Sequence, residues 1–166
     1  MWEELVKRAC IDTGLINPAA ASWIAPYVEQ GEREGLGYDT IARNVRSVGD
    51  QLTADEKRAL GIRANAKACR KYVDALTPLG REKPLDAGFL VVQRAMHQRA
   101  VGDPFEIFKP GIVDEVEIMF AADNRTCDAV KKLDGKRYRQ GELPRLPLAD
   151  CDAEYCRCLY FSVVSD

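Results

Sequence analysis

Four cysteines crowd the last forty residues: Cys127, Cys151, Cys156 and Cys158, spaced C-x23-C-x4-C-x-C. Zinc takes four tetrahedral thiolate or imidazole ligands, and close cysteine pairs are a common way for a chain to deliver them. If residues 156–158 open a strand, both thiols fall on one face and Arg157 on the other. Cys151 then sits one short loop upstream, and Cys127 comes from the first turn of a short helix. Reduced thiols packed as small apolar groups are an alternative reading, and a disulfide such as Cys127–Cys156 is a third. Cys10 and Cys69 lie in helical segments and read as core or surface thiols.

Two other chemistries are written in the same region. Cys127 follows Asp123-Asn124-Arg125-Thr126 at an expected helix start, where free N–H groups and an arginine favour a thiolate. A cysteine nucleophile also needs a base, and the single histidine is His97. Residues 125–145 carry Arg125, Lys131, Lys132, Lys136, Arg137, Arg139 and Arg145 against Asp128, Asp134 and Glu142. That local surplus, with Tyr138 for stacking, is the footprint of a nucleic-acid or phosphate binder, although charge runs are more often solvated faces.

The bulk composition limits these options. The chain has 166 residues, 46% hydrophobic and 30% charged, which suits a folded protein with a buried core. Its formal charge of −2 argues against a protein devoted wholly to phosphate neutralisation. No apolar run approaches the roughly 18 residues needed to span a bilayer. The opening Met1-Trp2-Glu3-Glu4 is acidic where a signal peptide is basic. The expectation is a cytoplasmic protein without membrane contact, in which cysteines are thiols or metal ligands.

The elements that must position these residues change character along the chain. Trp2, Leu5, Val6 and Ala9 have helical spacing up to Gly14, and Asn17-Pro18 opens a second helix that Pro26 should kink or break. Ile41, Val45, Val48 and Leu52 form one stripe of a third helix. Thr53-Ala54-Asp55-Glu56 is a capping box. Gly61 should divide that helix from another running to about Leu76 and stopping before Pro78, and a last helix spans Pro84 to about Ala100. After Gly102-Asp103-Pro104 the period becomes two: Val116, Ile118 and Phe120 alternate with Glu115, Glu117 and Met119. The spacing predicts a strand near 115–121, a short helix near 126–133 and a strand near 157–164, the two strands pairing antiparallel. Leu133, Leu146, Leu159 and Phe161 complete the expected tail core. The fold class is mainly α, with a helical body over 1–102 and a small α+β cysteine-bearing module over 103–166.

The tail reads Asp123-Asn124-Arg125-Thr126-Cys127, Leu133-Asp134-Gly135-Lys136, Glu142-Leu143-Pro144-Arg145-Leu146-Pro147 and Cys156-Arg157-Cys158. Over residues 115–160 this series resembles the C-terminal part of the phage Mu F-like head-morphogenesis (minor capsid) family. It also looks like small bacterial proteins that end in a P-x-L-P-L, C-D, C-x-C arrangement. The family tends toward C-x2-C at the first cysteine, where this chain has Asp128-Ala129-Val130. It often has a histidine in the proline loop, where this chain runs Leu146-Pro147-Leu148-Ala149-Asp150-Cys151. Cys151 can stand in for one missing ligand. The resemblance implies a structural or protein-interaction role and carries no catalytic residues. The leading expectation is therefore a non-enzymatic binding or structural protein, phage- or mobile-element-related, with a protein partner; for its four tail cysteines packed thiols and a zinc site both stay open. The rivals are a nucleic-acid or phosphate binder and a cysteine-dependent enzyme using Cys127.

Overall fold

The structure is a computed structural model that describes residues 1–102, 107–109, 111–153 and 156–163. It is mainly helical, with one small antiparallel sheet near the C-terminus. The chain divides into two compact units, Met1–Met96 and His97–Asp166. The expected switch point at Pro104 lies outside the described residues.

The helical unit begins with α1, Trp2–Thr13, which buries Trp2, Val6, Ala9 and Cys10 and stops at Gly14 in the left-handed region (φ 64°). Asn17 caps a 3-10 turn, Pro18–Ala20, by accepting from the Ala19 amide at 3.0 Å. Next, α2 (Ala21–Arg33) runs unbroken through Pro26. Proline removes one backbone donor, but Ile24, Ala25 and Val28 are buried around it and hold the helix. Then α3, Tyr38–Arg46, packs against α2 where Gly31 faces Ile41; a side chain at Gly31 would overlap Ile41.

Two helical expectations need correction. The stripe through Val48 and Leu52 is not one helix, because α3 ends at Arg46 and Gly49 takes a φ of 80°. Leu52 still reaches the core, but from extended chain whose amide bonds to the Ala68 carbonyl at 2.9 Å. The segment after Gly61 is also not helical until α5, Arg70–Ala75. Between α4 (Ala54–Ala59, with the Thr53/Glu56 capping box complete) and α5, residues 61–69 form a pinned loop. As expected, α5 stops before Pro78, and Pro78 then opens a further helix: α6, Pro78–Glu82, is capped by Thr77. Finally α7 spans Pro84–Val101.

In the second unit, β1 is Glu115–Met119, α8 is Asp128–Lys131, β2 is Arg137–Tyr138 and β3 is Leu159–Val163. The sheet order is β2-β1-β3 and both pairings are antiparallel, as expected for β1 and β3. The two-residue strand β2 was not foreseen; it follows the Gly135 turn (φ 68°) and sets Tyr138 opposite Val116. Val164, in the expected last strand, lies outside the described residues. Val116, Ile118, Val130, Tyr138 and Leu146 form the core together with three of the cysteines. Leu159 and Phe161 do not join it. They stand opposite Met119 and Glu117 on the outer face and are 47% and 52% exposed, because directly paired residues share a face.

Candidate metal centre

The path that carries the cysteines is set by local hydrogen bonding. After β1 the Asp123 carboxylate accepts from the Arg125 amide at 2.9 Å, and Thr126 Oγ1 donates to the Ala121 carbonyl. These turns deliver Cys127 as the N-cap of α8, one position earlier than the first turn expected for it, with its side chain buried. In the proline loop the Leu146–Pro147 peptide is cis. Tyr160 on β3 ties that loop down: its hydroxyl accepts from the Leu146 amide and donates to the Pro144 carbonyl, both at 2.9 Å. Cys151 follows, its amide bonded to the Leu148 carbonyl at 3.0 Å.

Cys156 and Cys158 are buried and flank the half-buried Arg157, the alternation expected of extended chain, although β3 itself starts at Leu159. Arg157 donates to Asp123 at 2.5 Å. That ion pair ties the end of the chain to the loop that presents Cys127. The Asp123 carboxyl is lowered to about 2, first by the Arg157 hydrogen bond and then by the Arg125 amide. On the other side of Cys158, its backbone carbonyl lies 2.8 Å from His97 Nε2. A carbonyl only accepts, so Nε2 carries the proton; Nδ1 is buried with no hydrogen-bond partner among the described residues.

All four cysteines border one small void of about 10 Å³. That is near the least space that holds a single water-sized particle. The thiols interact with one another. Cys151 is pushed up to about 12, first by burial, with Cys127 adding to the effect. Cys158 is pushed up further, first by its hydrogen bond with Cys156 and then by burial. As placed, no group of three or more His, Cys, Asp or Glu side chains among the described residues converges on one metal position. The cysteines cluster near one another and share this void with Phe120, Ala121, Arg125, Thr126, Ala153 and Arg157. No pair of the six is bonded as a disulfide.

The other two readings meet specific geometry. His97 spends Nε2 on Cys158, and neither ring nitrogen bonds to Cys127. In the basic strip, Arg137 pairs with Glu117 at 2.9 Å and Glu115 at 3.5 Å, Arg139 lies 3.8 Å from Glu115, and Lys131 bonds Asp128 at 2.8 Å. Lys136 sits over the Tyr138 ring, which is only 4% exposed and so packs in the core instead of offering a stacking face. Arg125 and Lys132 complete the strip on the exposed surface. Sequence reasoning missed three residues that hold the cluster: Asp123, Tyr160 and His97 as a tether. The one local signal for any of them was Asp123 two residues before Arg125, the pattern of an Asx turn.

Fold and site together define a mainly helical protein with a small α+β unit centred on cysteines. The chain matches no protein-family model, no curated protein and no solved structure. No helix among the described residues is long and apolar enough to cross a membrane.

Proposed function

We propose that this chain is a non-enzymatic binding or structural protein whose C-terminal unit is stapled by zinc through Cys127, Cys151, Cys156 and Cys158. The observation that carries the reading is the gathering of four thiols from three separate segments at one small void. Four sulfurs are a donor set that zinc prefers, and each thiol turns about a single bond to aim at the gap. Bound zinc would supply folding energy to a unit whose own core is small, and would stabilise the thiolates that burial otherwise disfavours. The setting is a reducing one such as the cytoplasm, where free thiols persist.

The likeness to the head-morphogenesis family over residues 115–160 extends the proposal to an assembly role in a phage or mobile element, with another protein as partner. A nucleic-acid role for Arg125, Lys131, Lys132, Lys136, Arg137 and Arg139 has less support, since Lys131, Arg137 and Arg139 already face carboxylates. Catalysis by Cys127 has less still, with no base bonded to it among the described residues.

Metal analysis of protein purified without chelator tests the zinc reading. One zinc per chain is expected, with four thiols that react with an alkylating reagent only after chelation. Cys156→Ser should unfold the C-terminal unit and leave the helical one folded. A metal-free protein that melts identically with and without chelator would sink the proposal.

A further inference from the structure

The helical unit holds a second feature, unrelated to the cysteines. A cleft of about 550 Å³ opens between α3, the 61–69 loop and the start of α7. This is in the size range of small-ligand sites, roughly 300–1,000 Å³. Four cations line it, Arg43, Arg46, Arg63 and Lys67, with Asp39, Asp86 and Phe89.

The frame is built, not a chance meeting of surface side chains. Asp39, Arg43 and Arg46 sit at i, i+4 and i+7 of α3 and so share one face. The loop bearing Arg63 and Lys67 is pinned at both ends: Ile62 N bonds Lys57 O at 2.8 Å, and Cys69 N bonds Arg46 O at 2.9 Å. Within it, Lys57 Nζ donates to Ala64 O at 3.3 Å and Ala68 N to Gln51 Oε1 at 3.1 Å. Arg46 donates to the Leu85 carbonyl at 2.9 Å, while its buried Nε has no partner among the described residues. Arg43, Arg63 and Lys67 form no ion pair among the described residues, despite two carboxylates in the same walls. Half-buried Phe89 adds an apolar plane, with Tyr38 edge-on at 6.3 Å.

We propose that this cleft binds a small nucleotide-class ligand: one phosphate group joined through a hydroxyl-bearing sugar to a planar ring. Arg43, Arg63 and Lys67 hold the phosphate, for which the guanidinium fork offers paired donors. Asp39 and Asp86 accept from sugar hydroxyls, and their charge disfavours a longer polyphosphate. Phe89 contacts the ring. The site belongs to the helical unit and does not depend on zinc in the other.

Titration calorimetry on the full chain at low salt, with adenosine 5′-monophosphate, ribose 5-phosphate and inorganic phosphate, tests this. The nucleotide should bind one per chain and more tightly than either other probe. Arg43→Ala/Arg63→Ala should weaken it by at least about tenfold. Both side chains are exposed, so the fold should survive; Lys67→Glu provides a second variant with the same expected loss. Phe89→Ala should bring nucleotide affinity down to that of ribose 5-phosphate and leave inorganic phosphate unaffected. The proposal is overturned by no binding at millimolar nucleotide, by unchanged affinity in both charge variants, or by equal affinity for inorganic phosphate. A single-stranded oligonucleotide that binds the cleft more tightly than the mononucleotide would also overturn it.

Discussion

His97 Nε2 lies 2.8 Å from the backbone carbonyl oxygen of Cys158 and ties the last turns of α7 to the segment that closes the cysteine cluster. The bond is buried, so removing the donor leaves a carbonyl that water does not readily reach. His97→Ala should destabilise the C-terminal unit by about 1–3 kcal/mol. Hydrogen exchange should show faster opening around Cys156 and Cys158, with the helical unit unchanged. Equal protection in both proteins would show the tether to be incidental.

Asp123 offers a pH test. Its carboxyl is lowered from 3.8 to about 2 by Arg157 and the Arg125 amide, so folding favours the ionised form. A depressed carboxyl contributes its stability fully above its unfolded value and loses it as pH falls through the folded one. Denaturant midpoints of wild type and Asp123→Asn should differ most above about pH 5 and converge between pH 4 and 2. A pH-independent gap would mean that the pair with Arg157 does not carry the effect.

Gly80 is the tightest glycine of the helical unit: a side chain there would run into the Leu15 backbone carbonyl. That carbonyl already accepts from the Thr77 amide at 3.1 Å, so it has little freedom to move aside. Gly80→Ala should cost about 1–3 kcal/mol through overpacking, seen as a drop in Tm of several degrees. Gly37→Ala, which meets open space, should show a smaller drop.

Thr53 accepts from the Glu56 amide at 3.3 Å, and Glu56 answers the Thr53 amide at 2.8 Å. Thr53→Ala should lower stability by about 1 kcal/mol, the usual cost of a lost N-cap. Thr53→Ser should restore most of it. If serine is no better than alanine, the hydroxyl is not the source of the effect.

Features that span only a few residues were legible in the sequence. The Thr53 box, the Asn17 cap, the stop at Gly14 and the alternation of Val116 and Ile118 each follow from hydrogen bonds or periods within one turn or one strand. The cysteines could be chosen by type and spacing for the same reason. Everything that depends on chain reversal was left to the tertiary structure. Leu52 kept its core position but lost its helix, because its amide found Ala68 in the 61–69 loop. The sequence pattern places Leu159 and Phe161 in the core, but the register with Met119 and Glu117 turns them outward. The meeting of Cys127, Cys151, Cys156 and Cys158 at one void, and of Arg43 with Arg63 across a cleft, depends on segments far apart in sequence. Local propensity acts over about one helical turn, whereas these neighbours are chosen by how buried faces stack, and that choice is made only when the whole chain has folded.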